Sequence, residues 1–116
     1  IPFVNESLNM KKALQIISSK KLGTLIVQNN KKITTGIITD GQIRRFNEIS
    51  ANLQDLAVKK VMTKNPISID KDILAEKALS LMNAKKITSL CVHNQKKVKK
   101  TIGVIHIHNI LQSNIH

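Results

Sequence analysis

Apolar and polar positions alternate along this chain in a fixed order, and the order occurs twice. Pro2-Phe3-Val4 reads as a short strand. Met10, Ala13, Leu14 and Ile17 follow helical spacing and form one buried face of a helix that Lys20-Lys21 closes. Thr24-Leu25-Ile26-Val27 reads as a buried strand, Asn29-Asn30-Lys31-Lys32 as a turn, and residues 33–38 as the hairpin partner. A helix over 40–49 turns Ile43 and Phe46 inward. Residues 50–60 form a polar connector with a helical turn at 53–56. The order then resumes. Residues 65–69 read as a strand, and Asp70 or Asp72 caps a helix whose buried face is Ala75, Ala78, Leu79 and Met82. Ser89-Leu90-Cys91-Val92 is the next strand, 93–97 the turn, 98–105 its partner, and 109–113 a closing helix.

The halves superimpose residue by residue. At an offset of 65, Lys12-Ala13-Leu14 becomes Lys77-Ala78-Leu79, Lys20-Lys21 becomes Lys85-Lys86, and Leu25 and Val27 become Leu90 and Val92. Asn29 and Lys31-Lys32 return as Asn94 and Lys96-Lys97. Beyond the turn the offset is 67, and Gly36, Ile38 and Ile43 meet Gly103, Ile105 and Ile110. This is an internal duplication. It predicts an α/β (α+β) fold of two β-α-β-β-α repeats, 1–49 and 61–116, joined by a linker over 50–60. Each half is too small to bury a sheet face alone, so the two are expected to pack with pseudo-twofold symmetry.

Composition narrows the class. With 116 residues and 41% hydrophobic positions, the chain can build a core as one domain or two small lobes. No apolar run approaches the ~20 residues of a membrane span, and no signal-peptide pattern opens the sequence. The single Cys91 excludes an internal disulfide and fits a cytoplasmic protein. A start at Ile1, inside what reads as a strand, suggests a piece of a larger protein. The net charge of +12 is nearly all lysine, placed in pairs at helix ends and turns. Phe3 and Phe46 are the only aromatics, so there is no stacking platform for a nucleic acid. The lysines therefore read as solvated faces, and nucleic-acid binding through them is the least favoured reading.

Candidate chemistry gathers at the duplicated strand–helix junction. In Gly36-Ile37-Ile38-Thr39-Asp40-Gly41-Gln42-Ile43-Arg44-Arg45, a buried strand runs straight into a helix, and Gly36 allows close backbone approach. Thr39 or Asp40 either caps that helix or helps hold an anion at its N-terminus. Arg44 and Arg45 either clamp a phosphate or lie on a solvated helix face. His106-Ile107-His108 puts two imidazoles on one strand face, if the strand extends that far. No Cys or carboxylate completes a metal set there, so no metal is assigned. Cys91, Met10 and Met82 read as core filling. The seven acidic residues are not paired beside a His for acid–base work, and no Gly-rich phosphate loop is present. No enzyme is read in these residues.

Two such units, each ending in a Gly-x-x-Thr-x-x-Asp type of junction and linked by Val61-Met62-Thr63-Lys64-Asn65-Pro66, resemble the tandem CBS (cystathionine β-synthase) domain pair, or Bateman module. More narrowly, Thr39-Asp40-Gly41-Gln42-Ile43-Arg44-Arg45, Lys85-Lys86-Ile87-Thr88-Ser89-Leu90 and His106-Ile107-His108-Asn109-Ile110-Leu111 are similar to the C-terminal CBS pair of bacterial arabinose 5-phosphate isomerases. The resemblance implies a regulatory or oligomerisation module. Its partner would be an N-terminal sugar-isomerase (SIS) domain that interconverts ribulose 5-phosphate and arabinose 5-phosphate for Kdo, lipopolysaccharide or capsule synthesis. It implies homodimers through CBS pairs, a tetrameric parent, no required cofactor, and an adenine or cytidine nucleotide or nucleotide-sugar effector in the cleft between repeats. The positions carried over are Thr39, Asp40, Gln42, Arg45, His106, His108 and Asn109. In nucleotide-binding repeats an acid three residues after the Thr holds the ribose hydroxyls. Here those positions are Gln42 and Asn109, and His106 replaces the second Thr. An amide accepts on one side only, so the alternative is a structural dimerisation module whose ligand sites have decayed.

Overall fold

The computed structural model describes residues 3–20, 23–49, 52–73, 75–94 and 100–107. They form two compact units, residues 1–66 and 67–116. In the first, β1 (Phe3–Asn5) leads through α1 (Met10–Lys20) to β2 (Thr24–Gln28), β3 (Thr34–Thr39) and α2 (Asp40–Ile49). A 3₁₀ turn (Leu53–Asp55), the short α3 (Val58–Val61) and the two-residue β4 (Thr63–Lys64) complete it. The second unit holds β5 (Ser68–Asp70), α4 (Ala75–Lys85), β6 (Ser89–His93) and β7 (Thr101–His106). No described helix is long and apolar enough to cross a membrane.

Both sheets are built alike. In the first, the order is β1-β2-β3-β4, with β1 parallel to β2 and the β2–β3 pair antiparallel. In the second, the order is β5-β6-β7 with the same directions. The register repeats as well. Phe3 pairs with Ile26 and Ser68 with Cys91; Thr24 pairs with Thr39 and Ser89 with His106. Each hairpin carries a bulge at the same step, after Val27 and after Val92. The duplication read from sequence is thus a duplication of pairing and not only of composition.

Strand alternation sets the cores. Leu25, Val27 and Ile38 face Met10, Ala13 and Ile17 of α1 and Ile43 of α2. Leu90 and Val92 face Ala78 and Met82 of α4, together with Ile69. Met10 and Met82 are fully buried, as expected of core filling. The α1 helix is capped by Asn9, whose Oδ1 accepts from Lys11 N at 2.7 Å.

Several local expectations are corrected. Ala75 is exposed, because helical spacing fixes a face but not how far the sheet covers it. Asp70 Oδ1 accepts from Asp72 N at 2.9 Å, closing an Asx turn, while α4 begins three residues beyond Asp72. Residues 65–67 are not strand: Asn65 is left-handed at φ 52° and Pro66 has no N–H, so β5 starts at Ser68. His93 belongs to β6 and is buried, paired with Thr101, so the turn begins after it. The connector is not purely polar, since Leu53 and Val58 are buried in the first core. It is tied to the start of α1 by Met10 N donating to Leu56 O and Val58 N donating to Leu8 O. The closing helix at 109–113 lies outside the described residues.

Candidate functional site

The first junction is built by β3 running into α2 without an intervening loop. Thr39, not Asp40, is the cap. Its Oγ1 accepts from Gln42 N at 3.3 Å, and Gln42 Oε1 accepts from Thr39 N at 3.2 Å. This is a reciprocal capping box, which satisfies two backbone donors at once. The signal was present in the sequence as Thr39-x-x-Gln42 directly before Ile43. Gln42 does more than cap. Its Nε2 donates to Val61 O at 3.4 Å and to Thr63 Oγ1, so the whole amide is engaged within the protein.

Gly36 serves close approach, as its position implied. A Cβ there would touch Met62 Sδ, stand 2.7 Å from Met62 Cγ, and lie 2.9 Å from Thr63 O. β4 pairs across this notch, Lys64 with Gly36 and Thr63 with Ile37. Asp40 is exposed, and its N–H donates to Gly23 O at 3.0 Å. Arg44 and Arg45 are both exposed; Arg45 folds back so that one guanidinium nitrogen would lie 3.4 Å from a Cβ on Gly41. Thr39, Asp40, Gln42 and Arg45 therefore share the start of one helix.

The second junction has a different chemistry. β7 ends at His106, the first of the two imidazoles, and Ile107 is already helical. His108 and Asn109 lie outside the described residues. His106 is partly buried and pairs with Ser89. Ser89 and Cys91 occupy the face of β6 opposite Leu90 and Val92, and Ser68 pairs with Cys91 on that same face. Ser68 Oγ, Ser89 Oγ and His93 Nδ1 are buried without a hydrogen-bond partner. The matching face of the first sheet carries Phe3 and Ile26 where the second has Ser68 and Cys91. Sequence reasoning did not single out Ser68 and Ser89, because a serine within a strand is as readily exposed as buried.

Burial pushes the Cys91 thiol above its ordinary value of 9.0, and a hydrogen bond with Thr101 opposes part of that shift. The thiol is therefore protonated and inert at neutral pH. Among the described residues no group of three His, Cys, Asp or Glu side chains could hold a metal.

The sequence profile of the CBS domain matches residues 1–48 and 58–115. Arabinose 5-phosphate isomerase KdsD of Salmonella typhi is 33% identical over 115 residues, which is 99% of this chain and 34% of that protein. The chain thus spans about a third of the curated relatives it matches. Among solved structures, an uncharacterized conserved protein from Pyrococcus horikoshii superimposes with a TM-score of 0.88 at 20% identity, covering 100% of this chain and 86% of its own. CBSX2, solved in complex with AMP, superimposes with a TM-score of 0.80 at 20% identity, covering 99% of this chain and 87% of its own. Two profile matches falling on the two duplicated halves, with the fold of a CBS pair, place this chain in the CBS domain family.

Proposed function

We propose that the chain is the non-catalytic regulatory and assembly module of a sugar-phosphate isomerase, and that its second repeat senses a nucleotide or nucleotide-sugar. One observation carries the ligand half. Ser68 Oγ and Ser89 Oγ are buried, lack protein partners, and lie on the strand face that ends at His106. Buried hydroxyls without partners are unfavourable, and a ligand with a ribose or an exocyclic amine would supply the missing bonds. His106 adds an imidazole beside them that can donate to an anionic group. Support for the ligand class comes from CBSX2, whose structure holds AMP. Support for the parent activity comes from the KdsD relative. Bound ligand would bias the module between two poses against a sugar-isomerase domain, with an effect no larger than its difference in affinity for them.

Isothermal calorimetry against AMP, ATP, CMP and CMP-Kdo tests the reading. Binding by one of them that weakens in Ser89→Ala and His106→Ala is the expected result. Silence from all four at millimolar concentration would remove the sensing role and leave assembly. A purely structural dimerisation module is the second reading, favoured by the complete internal satisfaction of Gln42. Sedimentation of the chain with Gln42→Asp and Asn109→Asp separates the two: nucleotide binding that appears only in the variants, at unchanged dimer mass, marks decayed sites.

A further inference from the structure

Gln42 joins the start of α2 to the segment at residues 61–64, which also pairs along the edge of β3 and buries Val61 in the first core beside Ile43. Its Oε1 stays with the start of α2, accepting from Thr39 N, while its Nε2 reaches Val61 O at the end of α3 and Thr63 Oγ1 at the start of β4. The same segment is seated on β3 by the pairs Gly36–Lys64 and Ile37–Thr63, with Met62 lying in the notch left by Gly36. Asn65 N adds a long bond to Thr35 O at 3.4 Å.

We infer that Gln42 is a positioning residue that straps residues 61–64 across the first junction and closes that junction to ligand. The closure, unlike the strap itself, rests on the ligand reading proposed above. A diol arriving at this junction would compete for both ends of an amide that are already occupied. Thr39 Oγ1 is likewise engaged by Gln42 N. In the second repeat the hydroxyls of Ser68 and Ser89 are buried without partners.

Glutamate at position 42 separates the two jobs of the side chain. A carboxylate still accepts from Thr39 N, and a capping box prefers it as much as glutamine. It cannot donate to Val61 O, and two oxygens would face each other there. The Thr63 hydroxyl can turn to donate to that carboxylate, so Gln42→Glu combined with Thr63→Val should keep α2 and release the strap. Thr63→Val tests the same contact from the other side, removing the Oγ1 acceptor while leaving the cap untouched.

Trypsin reads the strap directly, because cleavage after Lys64 requires β4 to leave β3. Cutting there, followed by mass spectrometry and normalised to the cut after Lys32, should rise on the order of tenfold in the double variant and several-fold in Thr63→Val alone. Unchanged cutting in both variants at wild-type helix content would overturn the strap. AMP titration of Thr63→Val provides the second arm, because that change loosens the strap without adding a carboxylate at position 42. Binding beyond that of the wild-type chain supports closure, and no additional binding from a chain whose strap is shown to be open refutes it. The proteolysis contains no nucleotide, so failure of the sensing role leaves its outcome intact.

Discussion

Replacing Gly36 by alanine should destabilise the first unit through a collision that can be located atom by atom. The new Cβ would stand 2.7 Å from Met62 Cγ and 2.9 Å from Thr63 O. The thioether can swing away, but the carbonyl belongs to a backbone fixed by the Ile37–Thr63 pair. Relief therefore requires β4 to move. Overpacking of this kind costs about 1–3 kcal/mol. Against it, alanine narrows the unfolded ensemble relative to glycine and returns about 0.4–1 kcal/mol. The net expectation is a loss of about 1–2 kcal/mol, which for a unit of this size lowers Tm by about 4–8 °C per kcal/mol. Urea and thermal unfolding followed by circular dichroism would measure it. In a Met62→Ala background the same substitution should be milder yet still unfavourable, because the carbonyl remains. Neutral or improved stability in Gly36→Ala, or complete rescue by Met62→Ala, would refute the close-approach account.

Lys86 sits at φ 56° just past α4, where Ile87 N donates to Met82 O at 3.0 Å and Lys86 N to Asn83 O at 3.3 Å. This is a Schellman motif with a lysine where glycine is preferred, so Lys86→Gly should raise stability by about 0.5–1 kcal/mol in urea unfolding. The raised Cys91 thiol binds its proton more tightly in the folded chain than in the unfolded one. Its contribution is therefore complete below about pH 9 and declines as pH rises through the folded value, so an alkaline arm of the stability profile should be absent in Cys91→Ala. Native Cys91 should also resist a thiol reagent at neutral pH and label fully once the chain is unfolded, since it is fully buried.

The repeated order of strands and helices was legible because each depends on a period that survives in single residues. Leu25 and Leu90, or Ala13 and Ala78, announce the same buried position twice. The segment at 58–64 was illegible for the opposite reason. β4 has two exposed residues and no alternation of its own, and is held by an edge and by a notch at Gly36 that exists only once Met62 is brought to it. At Gln42 the resemblance implies either a ligand-facing position or a decayed ribose contact, and the structure adds that its amide is engaged in the capping box and with Val61 and Thr63. The capping box is local and could be seen in Thr39-x-x-Gln42; its partners nineteen and twenty-one residues away could not. His93 looked like a turn residue because polarity after an apolar run ordinarily ends a strand, yet pairing with Thr101 draws it inside.

The bulge shared by the two hairpins bears on how a doubled chain tolerates drift. Beyond the irregularity after Val27 or Val92, each hairpin settles into one unbroken ladder down to Thr24–Thr39 or Ser89–His106. The second copy gained two residues, and they were absorbed above that ladder, leaving Ile105 opposite Leu90 just as Ile38 lies opposite Leu25. Insertions between β6 and β7 should thus leave the helix-facing set undisturbed, whereas one residue added inside either ladder would exchange the two faces along the remainder of the strand and turn its helix-facing side chains away from their core.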